Sequence, residues 1–184
     1  MKLGKILNFG KLSLLAVILC LPLAAPAQLV VSDLNRHRIS EVVSVFENST
    51  EDLQYAYIEA LGDGRGYTAG RMGATTATGD LLEIVNEYLV INPTSPFTIL
   101  LPILKTRATE ESGSIAGLDA LPEIWITAAQ DPAFRAVQDN VDNWMYFQPA
   151  LKIANQQGIT TLLGALCFYD TIIEHGEQGL DGLD

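Results

Sequence analysis

In the stretch from Glu47 to Asp80, ENSTEDLQYAYIEALGDGRGYTAGRMGATTATGD, acidic side chains stand on both sides of a glycine-punctuated turn, and Thr68 follows Asp63 by five residues. Two carboxyl groups anchored on separate elements and facing one cleft can divide the hydrolysis of a glycosidic bond between them. One gives a proton to the leaving oxygen and the other takes a proton from water. Other chemistries find less support. His37 and His175 lie far apart with no paired cysteines, so neither a metal site nor a cofactor is expected. No Gly-Lys-Ser/Thr follows the glycines at 62, 64 and 66, which argues against a phosphate loop. Ser-Gly-Ser-Ile-Ala at 112–116 lacks the second glycine of a serine-hydrolase elbow.

The surrounding pattern says what must hold these residues. Ile39, Val42, Val43 and Phe46 follow the i, i+3, i+4, i+7 spacing of one buried helical face, predicting a helix over 38–47. Glu47 falls one position past Phe46, at the helix end, where its side chain can leave the core. Residues 53–61 are rich in aromatics, 62–66 must turn sharply, and 67–73 can run back as a second strand, giving a small irregular hairpin. A helix is predicted over 80–89, stopped by Asn92-Pro93. A short apolar stretch at 97–104 precedes 106–121, which reads as an exposed loop. Asp131-Pro132 supplies a capping acceptor and a proline at the first helical position. The pattern then runs through Phe134, Val137, Val141, Trp144 and Met145, and Pro149 permits a bend. Residues 160–175 form the most apolar helix, ended by Gly176, with Cys167 expected inside it as a buried, inert thiol. The sum is an α+β protein, mainly α, in two lobes with one small β element.

Residues 1–27 read as a signal peptide. Lys2, Lys5 and Lys11 open it, an apolar run spans 12–23, and Ala25-Pro26-Ala27 offers a cleavage site before Gln28. The run is too short to favour a membrane-spanning helix of about 20 residues. Export in soluble form is therefore expected, with 28–184 as one domain. The leader holds three of the eleven Lys and Arg residues and none of the 22 acids, leaving 8 against 22, a formal charge of −14. Such a field repels nucleic acid and attracts polycations. On charge alone it also suits a merely solvated surface.

Glu47-Asn48, Tyr55, Asp63-Gly64-Arg65-Gly66-Tyr67-Thr68 and Gly79-Asp80 together resemble the signature of the family 46 glycoside hydrolases, the chitosanases. The similarity continues through Trp125-Ile126-Thr127-Ala128-Ala129, Tyr146-Phe147, Phe168-Tyr169-Asp170 and His175-Gly176. It implies a lysozyme-like two-lobed fold with a small β-sheet beside the cleft. It also implies a secreted, inverting endo-hydrolase of β-1,4-glucosamine links, acting on chitosan as a monomer, with no nucleic-acid or membrane partner. Glu47 matches the general acid, Asp63 the general base, and Thr68 the residue that helps hold the water. Asp80 matches a substrate-binding carboxylate, Asp170 an acidic member of an interior ion network, and His175 a residue near substrate. Arg65 and Tyr57 are expected on the cleft. Each also has a plainer task open to it: an ion pair for Arg65, core packing for Tyr55 and Tyr57, and the helix dipole for His175.

The chain departs from that pattern in two places. The interval from Glu47 to Asp63 is two residues shorter, between Asn48 and Tyr55. Family members also continue past the position of Asp184 and carry arginines there that pair with the catalytic Glu and with the acid matched by Asp170. After Asp131 this sequence has only Arg135, Lys152 and His175 as basic residues. Part of one lobe is therefore expected to be missing. The alternative reading is a truncated relative that binds chitosan without cutting it, or an inactive fragment.

Overall fold

Ser32 opens the first helix of the computed structural model, which describes residues 28–176; the predicted leader, 1–27, lies outside the described residues. The Ser32 hydroxyl accepts from the Asn35 amide at 3.3 Å, satisfying one of the orphan donors of a helix start. Helix α1 then runs Asp33–Asn48, five residues earlier than periodicity predicts, because the cap and not the apolar stripe sets its beginning. Strands β1 (Ile58–Ala60), β2 (Tyr67–Ala69) and β3 (Ala74–Thr75) form an antiparallel sheet in the order β1-β2-β3. In this register Glu59 faces Thr68, and Thr68 faces Thr75. Helices α2 (Asp80–Ile91), α3 (Phe97–Thr109), α4 (Leu121–Ala128) and α5 (Pro132–Asp142) follow. A π-helical turn, Asn143–Phe147, joins α5 to α6 (Gln148–Gln156), and α7 (Leu162–His175) closes the described chain.

Two separate apolar cores make two lobes. The larger gathers α2 to α5 beneath the sheet, around Leu81, Ile84, Phe97, Trp125, Phe134 and Val141. Its aromatic centre is ordered: Trp125 meets Phe134 edge-on at 4.9 Å, and Phe97 stacks on Phe134 at 5.5 Å. The smaller core joins α1, α6 and α7 through Ile39, Val43, Phe147, Ala165, Tyr169 and Ile172. Tyr146, in the π turn, packs against both cores, so the α5–α6 run is the bridge between the lobes.

Several sequence expectations change here. On α1 only Ile39 and Val43 are buried with their neighbours Ser40 and Ser44, while Val42 is 41% and Phe46 72% exposed. The helix has one narrow packed stripe, and its serines turn towards the space between the lobes. The 97–104 stretch is the first part of α3, and 106–109, read as loop, belong to the same helix. Pro102 inside it is exposed, where water can satisfy the bond its missing N–H leaves open. Trp144, expected on the buried face, is 46% exposed and donates to Glu87 Oε1 at 2.9 Å, because the π turn shifts the helical phase. Cys167 is exposed rather than buried, since α7 packs on one side only. The predicted hairpin, the Asp131 cap and the Gly176 stop are all present.

Candidate active site

Between the lobes lies a cavity of about 270 Å³. One wall is helical: Ser44, Glu47 and Asn48 of α1 with Tyr169, Ile173 and Glu174 of α7. The facing wall comes from the sheet and its turns: Tyr57, Arg65, Thr68 and 70–73.

Glu47 stands in the last turn of α1, which Ser49 ends in a left-handed conformation (φ 58°), its N–H on the Val45 carbonyl at 3.0 Å. Partial burial of the Glu47 carboxyl pushes it above the ordinary 4.5, and the charge and hydrogen bond of Glu174 and the charge of Asp170 push it the same way. No ion pair to Glu47 occurs among the described residues. Asp170 is itself raised, by burial and by Glu174, with His175 opposing.

Asp63 meets the opposite treatment. Its Oδ1 accepts from the Arg65 backbone N–H at 2.9 Å, and its Oδ2 accepts from Arg65 Nε at 2.9 Å with Nη2 at 2.8 Å. The backbone bond and then the guanidinium hold the carboxyl below the ordinary 3.8. Asp63 adjoins the cavity through Arg65, which lines it. Five residues on, Thr68 is 7% exposed and lines the cavity, and its hydroxyl has no hydrogen-bond partner among the described residues. A buried hydroxyl left unpaired costs about 1–3 kcal/mol, so Thr68 Oγ1 is placed to bond a ligand oxygen. Tyr57 also lines the cavity and donates to Glu59 Oε2 at 3.2 Å, whereas Tyr55 belongs to the larger core.

Three site expectations take a different form. Asp80 is buried, and its carboxylate is filled by four donors: Thr75 N–H, Thr78 Oγ1–H, Leu81 N–H and Tyr146 O–H, at 2.6–2.9 Å. It ties the β3–α2 connection to the π turn instead of lining the cavity, with three donors on Oδ1 and Tyr146 on Oδ2. His175 is exposed in the last turn of α7 and does not line the cavity either. Asp170 makes no ion pair among the described residues; it stands half-buried with Glu174 and His175 on its own helix.

A separate interior ion cluster is built by Arg71, Asp142 and Asp139. Arg71 Nη1 stands 2.7 Å from Asp142 Oδ2, with their side chains 3% and 0% exposed, and Arg71 Nε stands 3.3 Å from Asp139 Oδ1. These are charge contacts whose N–H directions fall off the oxygens. Tyr169 O–H donates to Asp142 at 2.6 Å from α7, and Tyr55 O–H donates to Asp139 at 2.8 Å. Burial alone would lower the Arg71 pKa, but Asp142, Tyr169 and Asp139 outweigh it and hold the guanidinium charged. The network reaches across both lobes under the cavity. Gly70 makes the approach possible: at φ +73° it leaves room that a Cβ would take from Gln138 Oε1 and Trp125. The sequence held one signal for this cluster. Asp139 and Asp142, three residues apart among apolar positions of α5, share a helical face.

A mainly helical fold with a small three-stranded sheet is also that of solved chitosanases. The chain is similar to the Gynuella sunshinyii enzyme described in complex with chitotetraose, at TM-score 0.78 and 45% identity, covering 80% of this chain and 61% of that one. It is similar to native chitosanase from Bacillus subtilis MY002 at TM-score 0.77 and 42% identity, covering 80% and 61%. In sequence it is 44% identical over 142 residues to the chitosanase of Bacillus subtilis strain 168, covering 77% of this chain and 51% of that protein. Residues 41–184 match glycosyl hydrolase family 46, and the chain belongs to that family. It spans about half the length of the curated relatives it matches.

Proposed function

We propose that this chain hydrolyses β-1,4 links between glucosamine units of chitosan with inversion, Glu47 acting as general acid and Asp63 as general base. The observation that carries this reading is one cavity with Glu47, which makes no ion pair among the described residues, on its helical wall, and on the other wall Thr68, whose buried hydroxyl has no partner among those residues, and Arg65, which pairs with Asp63. Glu47, raised, holds more readily the proton that the leaving oxygen needs. Asp63, lowered, stays ionised and takes a proton from water, which Thr68 Oγ1 orients by donating or accepting. The water adds to the anomeric carbon from the face opposite the departing sugar, and that bond breaks as Glu47 protonates its oxygen. An inverting pair needs about 6.5–9.5 Å between carboxyls to admit the water. Asp63 and Glu47 then return to their starting states by exchange with solvent.

Other residues support the reaction around this pair. Arg65 keeps Asp63 ionised, and Tyr57 offers a flat face to a sugar ring. Asp80 acts by holding the β3–α2 connection, His175 meets the polymer from the exposed end of α7, and Asp170 supports the charge balance around Glu47. An acidic protein with a helical wall of carboxylates suits a polycation, through charge-assisted bonds to ammonium groups. The relatives named above are chitosanases, which favours the same substrate here. Residues 1–27 would direct export, so the site of action is extracellular.

Incubation of the purified chain with chitosan, followed by reducing-end release and NMR of the first-formed anomer, tests the proposal. Release of the α-anomer, lost in Glu47→Gln, is expected. Binding without release, or release that survives Glu47→Gln, overturns it. Binding should weaken with added salt and with acetylation of the polymer; equal binding to chitin contradicts the charge argument.

A further inference from the structure

The turn that carries Asp63 is braced from outside. Asp63 Oδ1 bonds the amide of Arg65 across Gly64, so the direction of the carboxylate depends on the path of the Gly64 backbone. That backbone is in contact with Gly113, in the segment that joins α3 to α4. A Cβ built on Gly113 would stand 1.9 Å from the Gly64 carbonyl oxygen and 3.0 Å from its Cα. One built on Gly66 would come 3.5 Å from the Gly113 carbonyl oxygen. Two backbones therefore meet with no side chain between them, and neither can yield as a flexible side chain would.

The segment on the far side of this contact is fixed. Arg107, in the last turn of α3, donates from Nε to the Ser114 carbonyl at 2.6 Å and from Nη2 to the Ala116 carbonyl at 2.9 Å. Its own carbonyl accepts the Ser112 amide at 2.8 Å. One residue thus grips 112, 114 and 116, on both sides of Gly113, and fully buried Leu118 anchors the exit. Arg107 touches neither the cavity nor Asp63.

We infer that residues 112–116, clamped by Arg107, are a buttress that fixes the Asp63 turn, which makes Gly113 and Arg107 positioning residues for the general base. This rests on the reading of Asp63 as base. The contact limits the movement of Gly64 away from the cavity, and so keeps the carboxylate aimed where the water must be deprotonated. Misplacing a reacting group by about 1 Å can cost on the order of a hundredfold in rate, so a remote brace of this kind has a measurable effect.

The test uses the full chain with Gly113→Ala, Arg107→Met and Arg107→Lys. Amide hydrogen exchange across 62–68, with α2 as internal reference, reads the turn directly; kcat, KM and melting temperature are read in parallel. Faster exchange of the Arg65 amide in Gly113→Ala and Arg107→Met is expected, with α2 unchanged. Loss of about tenfold to a hundredfold in kcat with KM within about twofold is expected alongside it, and Arg107→Lys should lie between wild type and Arg107→Met. Arg107→Met keeps the test alive if Gly113→Ala does not fold, since Arg107 packs at the surface. Unchanged exchange and kcat in an active protein would overturn the buttress while leaving the proposed reaction intact. Faster exchange in the variants of a chain that cuts no chitosan would support the buttress and remove the reaction.

Discussion

On the helical wall of the cleft, Glu47 shares its surroundings with Glu174 and Asp170, and no ion pair among the described residues relieves it; beside the sheet wall, Asp63 is held by the backbone amide and the guanidinium of Arg65. The same functional group is raised on one side and lowered on the other. The difference shows how two carboxyls near one cleft are pushed in opposite directions by their surroundings. Partial burial, and then the neighbouring acids, push one carboxyl up, while a backbone donor and a guanidinium push the other down. A third environment lies beneath both. Asp142 is more buried than either, yet it stays paired, with Arg71 and Tyr169 as its partners.

Breaking the comparison at its ends should have the largest effect. Glu47→Gln or Asp63→Asn is expected to lower kcat on chitosan by about 10²–10⁴, the usual worth of a positioned proton donor or acceptor. Beneath the walls, Arg71→Met leaves Asp142 charged, buried and without its cation. Loss of about 3–5 kcal/mol in denaturant unfolding is expected. Tyr169→Phe keeps the ring packed on Phe147 and removes one bond to Asp142, so a smaller loss of about 1–2 kcal/mol is expected.

The pH dependence sharpens the same contrast. Activity should rise with pH through the lowered Asp63 value and fall with pH through the raised Glu47 value, a bell wider than the ordinary interval of 3.8 to 4.5. Glu174→Gln removes a charge that raises Glu47, so the descending limb should move to lower pH while the ascending limb stays. The smallest effect concerns stability. Because the folded pKa of Glu47 is raised, its contribution is present below 4.5 and is lost as pH climbs through the folded value. Glu47→Gln should therefore match wild type in melting at low pH and exceed it slightly at neutral pH, by about 0.5 kcal/mol or less given the solvent exposure.

Much of the site was legible because its signals are local. The Glu47 helix end, the glycine turn around Asp63, the Asp131 cap and the Gly176 stop each depend on a few adjacent residues, and each lies where the pattern puts it. Features that depend on packing were not. Periodicity marks Val42 and Phe46 as apolar but cannot say how wide a stripe the neighbouring helices will cover. The π turn that exposes Trp144 has no reliable sequence mark. Arg71 finds Asp142 across 71 positions of chain, and Asp80 finds Tyr146 across 66, so both clusters exist only once the lobes have met.

The opposed carboxyls are the centre of this account, and a carboxylate-resolved NMR titration of the folded chain addresses them directly. Asp63 is expected to titrate below 3.8 and Glu47 above 4.5, with Glu174→Gln lowering the Glu47 midpoint and leaving that of Asp63 in place. Reversed order, or two ordinary midpoints that ignore Glu174→Gln, would contradict the assignment of acid and base to the two walls.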